Sequence, residues 1–257
     1  MAGEERAGEQ AQNICRQMEQ EYKDVFFKFV SILHPKDIAG DLPGKGSNIH
    51  YAGKKIKQEV IDVLKIPYEN ILVSALDIDT VVGREYFGIL THKFLTVPNN
   101  LCASYQPIPF YINNIYEAPA FARVVAFSAT FFHMLQQERQ ERLITFSSHS
   151  MPFKALVDAG FWQRNMVSED SRIFWQCFLK YDGDYRVESL HYAVNMDSNA
   201  APTLWQTMKN VYKQQRRWAW GIENIPYFLF GFLKRGSHIS RFKKWYLGFA
   251  VIEGHWS

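Results

Sequence analysis

Apolar and polar positions change rhythm several times along the chain, and each change marks an element. Residues 4–24 carry helix-forming residues with few large apolar side chains and read as a polar helix. The apolar run "VFFKFVSIL" follows, and the Gly/Pro loop "AGDLPGKGS" ends it. Ser47 closes that loop and is the predicted N-cap of a helix over "NIHYAGKKIKQEVIDVL". "NILVSALDIDT" is continuous and β-branched, as expected of a strand covered on both faces, and it runs into acidic residues. Beyond it, "APAFARVVAFSATFFHMLQQERQ" predicts a long helix, "RLITFSS" a strand and "MPFKALVDAGF" a short helix. "DSRIFWQCFLKY" predicts a further helix, "YRVESLHYAV" a strand, and the C-terminal third is helical and aromatic.

Helix and strand alternating in this way predict an α/β fold with a mostly parallel sheet and ligands at the carboxyl ends of the strands. No repeat and no Gly/Ser- or Pro-rich linker divides the chain, so one main domain is expected. An α/β domain ordinarily opens on a strand. This chain opens on a polar helix, as though one or two leading strands were absent.

Composition narrows the ligand classes. Aromatic residues make up 16% of the 257, which supplies many flat faces for stacking on sugar or nucleobase rings. A net charge of +3 is too mild to point to nucleic acid, and no nucleic-acid partner is expected. The three cysteines, Cys15, Cys102 and Cys177, show no CxxC or Cys/His ligand spacing and fit a reducing cytosol. "MAGEERAGEQAQ" lacks the apolar core of a signal peptide, and no run reaches the roughly 18 apolar residues of a membrane-spanning helix. "IPYFLFGFLKRG" and "FKKWYLGFAVIEGHW" are short, aromatic and flanked by basic residues, a pattern that predicts contact with a membrane surface at its cytoplasmic side.

Four stretches carry candidate chemistry. Asp77 and Asp79 close the apolar strand, and alternation puts both carboxylates on one side of the backbone, where they could share a hard divalent cation with a diphosphate. The motif alone favours a solvated strand end or an Asp turn, and its position at the carboxyl end of a buried strand brings the two readings level. Glu169 and Asp170 stand at a helix start after Ser168, which reads as an N-cap with two acids favoured by the helix dipole. The same dipole favours the ionised form that a general base needs. In "KQQRRWAWG", Gln214, Arg217 and Trp218 fall at i, i+3 and i+4 on one helical face, with Gly221 at i+7 leaving it bare. A guanidinium suits phosphate oxygens, an indole suits a sugar's C–H face, and a helix brace of buried Trp and surface Arg is the plainer alternative. Lys45 in "LPGKGSN" fails the Walker A pattern, because Gly46 separates it from Ser47, and is read as a lysine held over a donor site or as a plain loop residue. His149 and His191 show no metal-ligand spacing.

In order, "LDIDT", "FSSHSMPFKALVDAGFW", "SEDSRIFW" and "QQRRWAWG" resemble the inverting glycosyltransferases of family 2, the group that includes cellulose and hyaluronan synthases, over about residues 42 to 235. The resemblance implies a GT-A-like, Rossmann-like three-layer sandwich, truncated at its N-terminus, over residues 1–235, followed by an interfacial amphipathic segment at 236–257. It implies that Asp77 and Asp79 hold the donor diphosphate, Asp79 most directly through Mg²⁺ or Mn²⁺, and that Asp170 is the catalytic base. Gln214, Arg217 and Lys45 would bind the donor, a UDP-sugar being the first expectation. Trp218 and Glu169 would border the acceptor, carbohydrate or lipid-linked, as in polysaccharide biosynthesis. Ser147, Ser148 and His149 fall in a segment that lies beside the donor sugar and acceptor in the family. The family's first strand and its nucleobase-gripping acid have no counterpart before "EERAG". A non-catalytic remnant that binds sugar, lipid or a partner subunit is therefore the alternative, and a nucleotidyltransferase a further rival.

Overall fold

The computed structural model describes residues 1–234 and 238–256. The chain begins with a short strand β1 (Ala2–Glu4), a 3₁₀ turn and helix α1 (Gly8–Tyr22). The predicted polar helix is thus shorter than residues 4–24. Of the apolar run that follows, only Ile32–His34 form a strand, β2, parallel to β1, while Val25, Phe26 and Phe27 stay exposed. Helix α2 (Lys45–Ile56) passes through a π-helical turn, Lys57–Ile61, into the short α3 (Asp62–Leu64).

Strand β3 (Leu72–Ala75) is followed by β4 (Val81–Val82), helix α4 (Tyr86–Thr96), β5 (Ala103–Phe110) and helix α5 (Ala120–Gln137). Next come β6 (His149–Pro152), α6 (Phe153–Asp158), α7 (Glu169–Lys180) and β7 (Arg186–Asn195). Helices α8 (Leu204–Ala219), α9 (Asn224–Lys234) and α10 (Arg241–Trp256) complete the chain. The strand predicted over "RLITFSS" forms instead at His149–Pro152, because the preceding residues spend their polar groups on other segments: Phe146 N–H donates to Gln106 Oε1 and Thr145 Oγ1 to the Asp170 carbonyl. The expected break between residues 235 and 236 lies outside the described residues.

The main sheet has the order β3-β6-β5-β7-β4 and is mixed. Only β5 and β7 run parallel; the other three pairings are antiparallel, so the expectation of a mostly parallel sheet is corrected. Two strands of two to four residues, β4 and β6, account for all three antiparallel pairings, β6 with β3 and β5 and β4 with β7. Helices cover both faces. Along β5, Ala103 and Tyr105 pack with Tyr86, Leu90 and Phe94 of α4, whereas Ser104 hydrogen bonds to Tyr185 in the larger core on the opposite face. That core joins α6, α7, α9 and α10 through fully buried aromatics, among them Trp175 stacked on Phe228 at 4.5 Å.

The topology also creates the site. Because β3 and β4 are at opposite edges, residues 76–80 must cross the end of the sheet. The pairings Ala75 with His149, Phe110 with Asn195 and Val81 with Asn195 put the carboxyl ends of β3, β5 and β7 and the start of β6 at that same end. Asp77 and Asp79 lie in the crossing.

Candidate active site

Three segments distant in sequence meet under this crossing. At the start of α2, Gly44 at φ 142° turns the chain into the helix three residues before the predicted cap, so Lys45 is its first residue. Ser47 then lies inside the first turn and does not cap it; its Oγ donates to the carbonyls of Leu42 (2.6 Å) and Gly44 (3.1 Å). A cation at a helix N-terminus opposes the dipole. Carboxylates offset this: Lys45 Nζ lies 2.5 Å from Asp77 Oδ1 and 3.1 Å from Asp170 Oδ2. Burial alone would lower the pKa of Lys45, but Asp170 and Asp77 outweigh it and leave the ammonium above its ordinary range. Burial likewise pushes the Asp77 carboxyl up, and Lys45, Ser147 and Arg217 together bring it below its ordinary range.

Both oxygens of Asp77 are engaged, Oδ1 by Lys45 and Oδ2 by the Ser147 hydroxyl. Asp79 is less enclosed. Its Oδ2 accepts from the Asp197 backbone N–H (3.2 Å), and Asn113 Nδ2 donates to both its carbonyl (2.9 Å) and Asp197 Oδ1 (3.1 Å). Among the described residues no group of three or more His, Cys, Asp or Glu side chains could hold a metal ion by itself.

Asp170 and Glu169 open α7. Ser168 precedes them, but its hydroxyl donates to Glu223 Oε1 (2.8 Å) and accepts from no helix N–H, so the predicted cap is a tie to another segment. Glu169 is buried, with a Cβ built on Gly46 only 3.2 Å from its Cβ and Cδ, and burial followed by the neighbouring Asp170 raises its pKa. Asp170 Oδ1 is buried without a hydrogen-bond donor.

Helix α8 supplies the other wall. Gln214 Oε1 accepts from Asn199 Nδ2 (2.7 Å), Arg217 acts electrostatically on Asp77, and the Trp218 ring lies 6.5 Å from that of Tyr111. Gln214 and Trp218 line one cleft with Tyr111 and Asp197, whereas Arg217 is tied to the site through its effect on Asp77. Gly221, expected to continue that face, falls in a 3₁₀ turn, Trp220–Glu223, that ends the helix. Ser148 and His149 are fully buried: Ser148 Oγ bonds to Thr80 Oγ1 (2.8 Å), and both ring nitrogens of His149 face protein groups. His191 is remote, on a bulge of β7 where the register with β5 shifts.

Several residues escaped the sequence reading. Tyr111, just past β5, lies between Trp218 and the two aspartates, and burial, Asp77 and Asp79 raise its phenol to about 12. Asn113 and Asp197 brace Asp79. Buried Arg172 donates to Asn224 Oδ1 (2.6 Å), Gln163 Oε1 (2.8 Å) and the Glu223 carbonyl (3.0 Å), fixing α7 to the α8–α9 junction. Only the rule that ligands gather at carboxyl strand ends would have singled out Tyr111, Asn113 and Asp197.

A sequence model of glycosyl transferase family group 2 matches residues 72–255, from the first residue of β3 into the last turn of α10. The chain belongs to this family. Its α/β architecture is compatible with the GT-A-like arrangement of such enzymes, and it is a glycosyltransferase acting on a nucleotide-sugar donor and an acceptor. A comparison with curated proteins finds no match. Among the described residues no helix is long and apolar enough to cross a membrane.

Proposed function

We propose that this glycosyltransferase moves a sugar from a nucleotide-diphosphate sugar, a UDP-sugar first among candidates, to an acceptor hydroxyl with inversion, and that Asp170 is the general base. One observation carries the reading: a single ammonium, Lys45 Nζ, bridges Asp77 and Asp170, residues 93 positions apart, as it would if both served one reacting centre. Arg217, close enough to act on Asp77, adds a guanidinium suited to diphosphate oxygens.

In this reaction the acceptor oxygen attacks the anomeric carbon from the face opposite the diphosphate. The carbon–oxygen bond to the diphosphate breaks, its electron pair leaves with the nucleoside diphosphate, and the hydroxyl proton passes to Asp170. One carboxylate suffices, since the acceptor itself is the nucleophile. Lys45, Gln214 and Arg217 bind the donor's charged oxygens and stabilise the leaving diphosphate. Trp218 and Tyr111 offer ring faces to the acceptor, carbohydrate or lipid-linked, and Glu169 packs beside it.

The oxygen donors at Asp77 and Asp79 fit a hard cation only in part, because Asp77 is occupied by Lys45 and Ser147, and Asp79 alone keeps an oxygen without a partner among the described residues. Asp79, with Asp77, would hold Mg²⁺ or Mn²⁺, and the ion would supply positive charge to neutralise the leaving diphosphate. Residues 1–235 carry the transfer in this reading, and 236–257 lie against the cytoplasmic face of a membrane.

The test is product analysis with Asp170→Asn. We expect wild-type protein to release free nucleoside diphosphate and an inverted glycoside, and the variant to lose transfer by about a hundredfold or more while binding donor normally, because only proton acceptance is removed. Pyrophosphate release would indicate nucleotidyl transfer, retained donor binding without any turnover a non-catalytic remnant, and equal loss of binding and transfer would overturn the role of Asp170.

A further inference from the structure

His149 lies wholly inside the protein, directly behind Asp170. Its two nitrogens have distinct neighbours. Nε2 is 3.3 Å from the indole Nε1 of Trp162, a group that can only donate, so Nε2 must present its lone pair. Burial lowers the pKa of this ring, which keeps it neutral with a single ring proton, and that proton is left for Nδ1. Nδ1 is 3.0 Å from the Phe146 carbonyl and 3.7 Å from Asp170 Oδ1, the buried carboxylate oxygen that has no donor. The residue before it, Ser148, is held at φ 62° by its bond to Thr80, which fixes where β6 begins and hence where the ring stands. Three other charged or titratable groups face this pair: Lys45 from α2, Asp77 from the crossing segment and Glu169 from α7.

We propose that His149 is a positioning residue for Asp170. Trp162 locks the imidazole as the Nδ1–H tautomer, whose proton goes to the Phe146 carbonyl while the N–H edge faces Asp170 Oδ1 across 3.7 Å; that contact aims the carboxylate so that Oδ2 is presented to the acceptor hydroxyl. In the free protein Lys45 holds Oδ2. Once a donor diphosphate competes for that ammonium, the Nδ1–H is the donor that remains to keep the carboxylate in place. The inference rests on the reading of Asp170 as the base, and it gives the Trp of "GFW" and the His of "SSHSM" a shared purpose that neither stretch reveals alone.

Two measurements on the full chain test it. Long-range ¹H–¹⁵N correlation spectra of the free protein should show the Nδ1–H tautomer for His149, and Trp162→Phe should convert it to a mixture. In transfer assays, His149→Phe and Trp162→Phe should lower kcat by about tenfold or more with donor KM within about twofold, while His149→Asn, which keeps an N–H near the Nδ1 position, should recover most of the loss. Donor affinity measured on each variant reports its folding, and Trp162→Phe keeps the test open if His149→Phe does not fold. An Nε2–H tautomer, or kcat unchanged in both variants, or equal loss in the Asn and Phe variants, would overturn the proposal. Wild-type protein without turnover would remove the transferase reading by itself, whereas the tautomer is read without substrate and stands or falls separately.

Discussion

Lys45 shows how far a side chain's meaning depends on what faces it. Its loop sequence suggests a lysine held over a donor site or a plain loop residue, and only the tertiary structure shows that it faces two carboxylates, at 2.5 and 3.1 Å. Glu169 is the complementary case, an acid with a poor environment. Burial and Asp170 raise its pKa, so the folded protein keeps a proton that the unfolded chain releases in the ordinary glutamate range. Folding stability therefore declines as pH rises from about 4 towards the raised value. Glu169→Gln, which has no proton to lose, is expected to match wild type near pH 4 and to exceed it in stability at pH 7. Urea midpoints at the two pH values check this; a variant less stable at pH 7 would show that the carboxylate is welcome where it sits.

Helices α7 and α9 and the turn that ends α8 meet at the junction that Arg172 occupies, which ties the helix bearing Asp170 to the aromatic core. Three hydrogen bonds and the Tyr227 ring at 4.0 Å hold its guanidinium in place. Arg172→Leu leaves those acceptors buried and unpaired and is expected to cost about 2–4 kcal/mol of stability. It should also weaken donor binding without touching the donor, because Ser168, Glu223 and Asn224 lose their common anchor. Chemical denaturation and donor titration give the two readouts; normal donor affinity would show that α8 keeps its place unaided. The start of α8 is set locally, as Thr203 Oγ1 accepts from the Gln206 N–H at 3.2 Å. The docking of α7 on the α8–α9 junction is not, since the bonds that fix it span about fifty residues.

Seen across the molecule, one end of the sheet is polar and the C-terminal helices are apolar outward. Phe230 and Leu233 on α9 and Phe242, Trp245 and Phe249 on α10 are exposed, with Lys234 and Arg241 beside them, while Leu247 of α10 is buried in the main core. Such a surface fits the interfacial layer of an anionic membrane. We expect the protein to sediment with vesicles containing anionic lipid, with a blue shift of tryptophan emission, and the double change Phe242→Ser with Trp245→Ser to weaken that binding by about tenfold or more. Unchanged binding by the double variant would move the contact to another face.

The sequence by itself determined what depends on near neighbours: the amphipathic helices, the face shared by Gln214, Arg217 and Trp218, the two acids at the start of α7, and the aspartates after an apolar strand, whose order identified the family. Periodicity and capping are local, so a linear reading captures them. Tertiary structure alone decided the strand directions, the bridging of Asp77 and Asp170 by Lys45, and the burial of His149 behind the carboxylate it faces. Those outcomes follow from which strand edges pair and which polar groups must be satisfied inside the core, and no spacing along the chain encodes either.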